Sequence, residues 1–201
     1  SEPAVITGKS IPAGGSLGRD TATADGGFFV LKQLTKNLKI EPKKTKILIQ
    51  GFGNAGSNFT HLAFHAGYKI LGAADSVSGI IDHKNQGFDF HIIKKLKKTG
   101  GRVDICNCYQ IFCKCKNHRH LTNEEFLEQE CDILVLAALE NQITAQNAKN
   151  IKAKIIVEGA NISIVPECVE GLHKRGVLII PDFVANAGGV ISSYAEHMGY
   201  D

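Results

Sequence analysis

The stretch KILIQGFGNAG, residues 46–56, decides the fold. Its apolar half, residues 46–50, predicts a short buried strand, and glycines 51, 53 and 56 have the GxGxxG spacing. In that spacing the first glycine permits a tight turn, the second lets backbone approach a pyrophosphate, and the third lets the following helix pack on the strand. Apolar residues at helical spacing from Ala55 to Ala66 supply that helix. The stretch therefore predicts strand, phosphate-binding turn and helix.

An acidic residue follows where such a βαβ unit needs one. The run Ile70–Ala74 predicts the second strand, and Asp75 lies 22 residues past Gly53, where a carboxylate can accept from ribose hydroxyls. Asp75 disfavours a 2′-phosphate and so favours NAD, whereas Ser76, Ser78 and Lys84 could donate to a phosphate. Both NAD and NADP stay open, with NAD preferred. In a chain with 21 glycines, a lone GxGxxG spacing can also be a plain strand-to-helix turn. The preceding strand, the following helix and Asp75 favour cofactor binding over that alternative.

Strands and helices alternate along the rest of the chain. Residues 122–125 (TNEE) form a capping box that opens a helix over Phe126 and Leu127. The pattern predicts an α/β fold: a Rossmann-type, doubly wound, mostly parallel sheet with helices on both faces. The further predicted strands are Ile133–Leu136, Ile155–Val157 and Val177–Ile180, and the further helices are Gly27–Leu38, Phe90–Lys98, Pro166–Lys174 and Gly188–Met198.

Length, charge and hydrophobic content indicate what class of protein this is. The 201 residues, 43% of them hydrophobic, suffice for one domain, predicted to span 1–201. A net charge of +3 is too small to indicate a nucleic-acid or membrane partner. No apolar run reaches the roughly 18 residues of a membrane helix, and no secretory signal is evident, so we expect a cytoplasmic protein with reduced thiols. Cys131 and Cys168 are expected to be packing residues.

Several further motifs carry a family resemblance. Residues 7–9 (TGK) and 14–23 (GGSLGRDTAT) lie in a glycine-rich amino-terminal segment, 1–26, and three later motifs follow predicted strands. These are residues 137–144 (AALENQIT), 158–161 (EGAN) and 181–190 (PDFVANAGGV). Together they resemble the glutamate dehydrogenases of the glutamate, leucine, phenylalanine and valine dehydrogenase superfamily. The form of the glycine loop and of residues 16–19 is similar to the glutamate branch.

The resemblance implies a set of site residues. It implies nicotinamide-side contacts from Arg19 and Thr23 and substrate contacts from Val190 and Ser193, with a serine hydroxyl suited to the distal carboxylate of glutamate. Because the later motifs follow strand ends, Asn141, Asn161 and Asn186 are expected to converge on the nicotinamide and its ribose. Each could instead be a turn or capping asparagine. The remaining predicted cofactor residues are Gly51, Phe52, Gly53, Asn54, Ala55, Gly56, Asp75, Ser76, Ala137 and Ala138.

The resemblance also implies that this chain is one part of an enzyme. In the family a substrate domain precedes the cofactor domain and carries the lysine and acid of the chemistry, so no catalytic residue is expected here. The segment 1–26 is expected to arrive from that domain, and return helices are expected after residue 201. The resemblance implies that the parent is an oxidoreductase that oxidatively deaminates L-glutamate to 2-oxoglutarate and ammonia, and that it is a homo-hexamer.

Two other functions stay open. One is a non-catalytic nucleotide-binding or regulatory module that kept the sheet and lost the chemistry. The other is a branched-chain amino-acid dehydrogenase domain, which would need an apolar contact in place of Ser193. The three asparagines and Ser193 favour the glutamate dehydrogenase interpretation over both.

A cysteine-rich stretch departs from the family pattern. Residues 106–115 hold Cys106, Cys108, Cys113 and Cys115, followed by His118 and His120. Paired CxC units with histidines can bind zinc, yet structural zinc sites usually separate their cysteines by two or more residues. The alternative is a lineage-specific loop with thiols as small apolar residues. No metal site is predicted.

Overall fold

The computed structural model describes residues 5–100, 103 and 118–199. These ranges contain seven strands, of which the sequence predicts five, and seven α-helices. The strands are β1 Lys46–Gln50, β2 Lys69–Ala74, β3 Gly79–Asp82, β4 His118–Leu121, β5 Ile133–Leu136, β6 Ile155–Glu158 and β7 Leu178–Ile180. The helices are α1 Ala22–Asn37, α2 Asn54–His65, α3 Phe90–Gly100, α4 Asn123–Leu127, α5 Pro166–Lys174, α6 Asp182–Ala185 and α7 Ala187–His197.

The strands form one sheet in the order β4-β3-β2-β1-β5-β6-β7. Strands β2, β1, β5, β6 and β7 run parallel to one another, whereas β3 pairs antiparallel with both β2 and β4. The predicted α/β class, a mostly parallel Rossmann-type sheet, is therefore confirmed. Strands β3 and β4 were not predicted, because four-residue segments with a glycine or two histidines carry little period-two signal.

Helices cover both faces of the sheet, and each face has its own apolar core. One core joins α1, α2 and α3 to the sheet through Leu31, Phe59 and Phe90. The other joins α4 and α5 to the opposite face through Phe126 and Leu172. Since side chains alternate along a strand, Ile47 and Ile49 enter the first core while Leu48 enters the second. Both faces of β1 are therefore buried, which explains why its sequence is a nearly continuous apolar run.

The structure corrects several element boundaries. Helix α1 begins at Ala22 and not at Gly27, so residues 22–26 of the predicted amino-terminal segment are helical. Strand β2 begins at Lys69 rather than Ile70, and β7 begins at Leu178 rather than Val177. The short helix α6 was missed, since it is a single turn in a stretch predicted as glycine-rich loop.

The sequence analysis also made predictions about membrane-spanning segments and about the cysteines. None of the helices in the described ranges is long and apolar enough to cross a bilayer. Cys131 and Cys168 are buried free thiols, as expected of packing residues, and burial raises the pKa of Cys131 to about 12. Cys106, Cys108, Cys113 and Cys115 lie outside the described residues, while His118 and His120 belong to β4.

Candidate functional site

The turn between β1 and α2 contains three glycines whose surroundings differ. Gly51 has φ of 92°, and a Cβ there would lie 2.3 Å from the carbonyl oxygen of Ala137. A Cβ at Gly56 would lie 1.7 Å from the carbonyl oxygen of Gly51, so the helix could not start so close to the strand. A Cβ at Gly53 would meet no protein atom within 4 Å. The fold therefore requires Gly51 and Gly56, and leaves open space only beside Gly53.

Backbone hydrogen bonds hold together the two loops that follow β5 and β6. Asn141 N–H donates to the Ile162 carbonyl at 2.8 Å, and Val165 N–H donates to the Ile143 carbonyl at 3.0 Å. These bonds bring Asn141 and Asn161 to the same edge of the sheet. Asn186 then donates from Nδ2 to Oδ1 of Asn161 at 2.6 Å. The three predicted asparagines thus meet, although they come from three separate motifs.

Helices α1 and α7 approach closely because they face each other with glycines. A Cβ on Gly188 would lie 2.0 Å from the carbonyl oxygen of Ala22, and a Cβ on Gly189 would lie 2.5 Å from Oγ1 of Thr23. Only glycine allows two helix backbones to pack this tightly. The contact places Arg19 and Thr23 beside the start of α7.

A cleft of about 780 Å³ opens at the carboxyl ends of β5 and β6. Seven of the predicted site residues line it, and they come from four segments of the chain. The Nε of Arg19 is buried there and has no hydrogen-bond partner among the described residues. The cleft is lined by Arg19, Thr23, Ala138, Leu139, Glu140, Asn141, Gly159, Ala160, Asn161, Asn186, Gly189 and Val190.

A second cavity of about 380 Å³ adjoins the first, and Ala138 and Leu139 line both. It lies at the carboxyl ends of β1, β2 and β5, so it is bounded by the glycine turn and by Asp75. Its lining residues are Gln50, Gly51, Phe52, Gly53, Asp75, Ser76, Lys97, Asn123, Ala137, Ala138, Leu139 and Gln142. The two cavities together form a continuous path along one edge of the sheet, where open α/β sheets bind ligands.

Asp75 is buried and already engaged by protein donors. Its Oδ2 accepts from Lys97 Nζ and from Val103 N–H, each at 2.9 Å, and its Oδ1 accepts from Val77 N–H at 3.0 Å. Burial alone would raise the pKa of Asp75, but the hydrogen bonds from Lys97, Val77 and Val103 outweigh it and lower that pKa. The cation paired with this carboxylate at the end of β2 is Lys97, which the sequence analysis did not single out. Lys84 lines neither cavity.

Four predicted residues line neither cavity. Asn54 donates from Nδ2 to the carbonyl oxygen of Asp20, and so ties the start of α2 to the amino-terminal segment. Ala55 and Gly56 lie in the first turn of α2, behind the glycine turn. Ser193 lies half-buried on α7, one turn beyond the exposed Val190 that lines the cleft.

The amino-terminal segment is anchored to the last turn of α7 by a buried carboxylate. Glu196 accepts from Gly8 N–H at 2.8 Å and from Lys9 N–H at 3.3 Å, and its Oε1 lies 2.6 Å from Lys9 Nζ. The side chain of Glu196 is fully buried. The hydrogen bonds from Lys9 and Gly8 lower the pKa of Glu196. This contact was not predicted, because it joins residues 187 positions apart.

The fold and the two cavities define a doubly wound α/β protein with a ligand-sized path at the carboxyl edge of its sheet. A family model described as glutamate/leucine/phenylalanine/valine dehydrogenase matches residues 14–199. The chain belongs to this family of oxidoreductases. The resemblance expected from the separate sequence motifs is thus confirmed at the level of the family.

Curated relatives include enzymes named for either cofactor. The chain is 42% identical to the catabolic NAD-specific glutamate dehydrogenase of Bacillus subtilis, over 96% of this chain and 43% of that protein. It is 37% identical to the NADP-specific glutamate dehydrogenase of Synechocystis, over 96% of this chain and 45% of that protein. The chain therefore spans less than half the length of the curated relatives it matches.

Solved structures show the same architecture. The hetero-hexameric glutamate dehydrogenase of Thermus thermophilus superposes with a TM-score of 0.84 at 29% identity, over 98% of this chain and 44% of that one. The L-tryptophan dehydrogenase of Nostoc punctiforme superposes with a TM-score of 0.65 at 23% identity, over 90% of this chain and 46% of that one. The second likeness concerns the fold alone.

Proposed function

We propose that this chain is the NAD(P)-binding domain of a glutamate dehydrogenase whose parent converts L-glutamate to 2-oxoglutarate and ammonia. The proposal rests on the two adjoining cavities, of which one is lined by the glycine turn and the other by the three asparagines. An extended dinucleotide matches such a path, with its pyrophosphate at the glycine turn. The 42% identity to an NAD-specific glutamate dehydrogenase supports the same assignment.

The residues present fit a dinucleotide in two respects. Gly53 leaves open space where backbone must come close to a pyrophosphate, and the N–H groups at the start of α2 are available to phosphate oxygens. Arg19 Nε, a buried donor without a partner among the described residues, lies in the cleft proposed for the nicotinamide end. A buried unpaired donor is costly unless a ligand or water satisfies it.

A bound nicotinamide ring would supply the hydride acceptor for oxidation of the amino acid. This chain's part is to bind and orient. Asn141, Asn161 and Asn186 would fix the nicotinamide ribose and amide by hydrogen bonds, while Thr23 and Arg19 border the same cleft. Precise alignment of the reactants and exclusion of water are the usual contributions of a two-walled cleft. The other wall, with the proton-transfer residues, belongs to the proposed substrate domain.

The substrate proposal rests on the start of α7. Val190 is 70% exposed at the rim of the cleft, and Ser193 follows it one turn later. Both are proposed to contact the side chain of the amino acid, with the Ser193 hydroxyl donating to the distal carboxylate of glutamate. A hexameric parent is part of the same proposal.

The cofactor proposal is NAD, with NADP also accepted. Asp75 stands at the end of β2, where a carboxylate selects a ribose without a 2′-phosphate. Lys97 Nζ, however, lies 2.9 Å from that carboxylate and its side chain is 31% exposed, so it can also meet an anion. The cavity thus holds both a group that disfavours the 2′-phosphate and one that attracts it.

The testing experiment is calorimetric titration of NADH and NADPH into the wild-type chain and into a Gly53→Val variant. Because a Cβ at Gly53 meets no protein atom, the variant should fold normally and lose dinucleotide binding by at least tenfold. Gly171→Val is the matched control, since a Cβ there also meets nothing and Gly171 lies on α5, away from both cavities. If folded wild-type protein binds neither dinucleotide, the proposal is wrong.

A further inference from the structure

The loop after β6 contains a backbone conformation that its sequence does not favour. Ile162 has φ of 48°, which lies in the left-handed region. Glycine and asparagine enter that region readily, whereas a β-branched residue such as isoleucine is an outlier there. Ile162 is 51% exposed, so burial of its side chain in the core does not compensate for this strain. Contacts made by its backbone must therefore hold it.

Hydrogen bonds hold both backbone polar groups of Ile162. Its N–H donates to Oδ2 of Asp182 at 2.8 Å, and its carbonyl oxygen accepts from Asn141 N–H at 2.8 Å. Strained backbone persists in native proteins where the surrounding structure holds it in this way. The bond from Asn141 comes from backbone, whereas the bond to Asp182 depends on a carboxylate. Asp182 is thus a side chain that directly supports the strained conformation.

Other hydrogen bonds fix the loop on either side of the strained residue. Ala160 N–H donates to a carbonyl oxygen of β5 at 2.9 Å. Ile164 N–H donates to Oε2 of the buried Glu158 at 3.0 Å. Because these bonds lie two residues before and two residues after Ile162, the backbone that remains to be set is that of Asn161 and Ile162.

Asp182 contacts the asparagine cluster a second time, through its own backbone. Its carbonyl oxygen accepts from Asn186 N–H at 2.8 Å, and Asn186 Nδ2 donates to Oδ1 of Asn161 at 2.6 Å. Both asparagines line the larger cleft, whereas Asp182 is not among its lining residues. Asp182 therefore supports the two asparagines from outside the cleft.

We propose that Asp182 is a positioning residue, which holds Ile162 at a positive φ and thereby directs Asn161 towards the nicotinamide end of the dinucleotide. This inference rests on the proposed dinucleotide function. Without the carboxylate, Ile162 should favour an ordinary negative φ, which would turn the neighbouring peptide and displace the Asn161 amide. Only a fraction of the molecules would then be ready to bind, and the apparent affinity falls in proportion to that fraction.

The first test needs no ligand. Backbone coupling constants measured by nuclear magnetic resonance report φ, so they show whether residue 162 has the positive value. Wild-type protein and Asp182→Asn, which keeps an acceptor oxygen, should both retain it. Asp182→Ala should shift residue 162 towards negative φ. A positive φ retained in folded Asp182→Ala would overturn the proposal, whether or not the protein binds NADH.

The second test is a double-mutant cycle on NADH binding, measured by calorimetric titration. Asp182→Ala should weaken binding about fivefold or more, because strain then opposes the competent conformation. Glycine adopts positive φ about as readily as negative φ, so the same change in an Ile162→Gly background should cost less than about twofold. Glu170→Ala, which removes an exposed carboxylate paired with Lys174 on α5, is the control and should leave the affinity unchanged.

The outcomes of the cycle separate this inference from the proposed function. Equal losses in the two backgrounds, or no loss in folded Asp182→Ala, would overturn the role of Asp182 while leaving dinucleotide binding intact. If folded wild-type protein binds neither NADH nor NADPH, the proposed function is wrong. The role of Asn161 then falls with it, even where the first test shows that Asp182 holds Ile162.

Discussion

At the scale of single residues, the contact between Lys97 and Asp75 controls the cofactor prediction. Lys97 Nζ neutralises the buried carboxylate of Asp75 at 2.9 Å, and that carboxylate also accepts hydrogen bonds from three backbone N–H groups. A bound 2′-phosphate would compete with Asp75 for the lysine, while a plain ribose would not. The two cofactors are therefore expected to depend on Lys97 to different extents.

We predict that Lys97→Met weakens NADPH binding by roughly tenfold or more and changes NADH binding much less. The reason is that the variant removes the cation and leaves Asp75 as an unopposed negative charge beside the phosphate. Calorimetric titration of both cofactors measures this difference. Lys98→Met, a change of the exposed neighbouring lysine, should alter neither affinity beyond experimental error. Equal losses for NADH and NADPH in the Lys97 variant would contradict the prediction.

Sequence patterns predicted residues whose roles follow from the chain nearby, and missed those that depend on packing. Gly51 and Gly56 could be predicted because the β1–α2 turn requires them for local steric reasons. Lys97 could not, since α3 carries several lysines and only the tertiary structure decides which one reaches Asp75. The place of Gln50 in the lining of the second cavity was missed for a similar reason, because Gln50 ends an apolar strand and the partner of its side chain, Gln142, lies 92 residues away.

At the scale of elements, α4 shows how a local signal fixes a helix start. Thr122 Oγ1 accepts from Glu125 N–H at 3.1 Å, and the Glu125 side chain accepts from Thr122 N–H at 3.0 Å. The capping box predicted from residues 122–125 is therefore confirmed. The same kind of local signal was absent for β3 and β4, whose pairing with each other and with β2 is a tertiary property.

We predict that Thr122→Ala lowers the free energy of unfolding by about 1 kcal/mol, because the N–H of Glu125 loses its capping acceptor. Urea unfolding followed by circular dichroism measures the change. Thr122→Ser keeps the hydroxyl and should stay close to wild type. A destabilisation of the same size in both variants would show that the methyl group, and not the cap, matters.

At the scale of the whole molecule, the site exists only because distant segments meet. Helices α1 and α7 bring Thr23 next to Gly189, and Glu196 binds Gly8 and Lys9. Sequence motifs predicted which residues belong together, since the family resemblance groups them. They could not predict the cavity shapes or the anchoring of residues 8–9, which depend on how the helices pack.

We predict that this anchoring is sensitive to acid. The pKa of Glu196 is lowered in the folded chain, so its stabilising effect is present above its unfolded pKa and is lost as the pH falls through the folded pKa. Glu196→Gln should therefore destabilise the protein at about pH 7, and the difference from wild type should shrink below about pH 4.5. Urea unfolding at several pH values measures it. A difference that is constant with pH would mean that shape alone, rather than charge, is lost in the variant.

The two outermost strands of the described sheet have a consequence for self-association. An open sheet edge can recruit a strand from a second molecule and start aggregation, unless the edge is short or charged. Strand β7 has only three residues, and β4 exposes Arg119 and His120 along its length. If two molecules paired edge to edge through β4, the Arg119 cations of the two copies would approach each other, so this pairing is unfavourable.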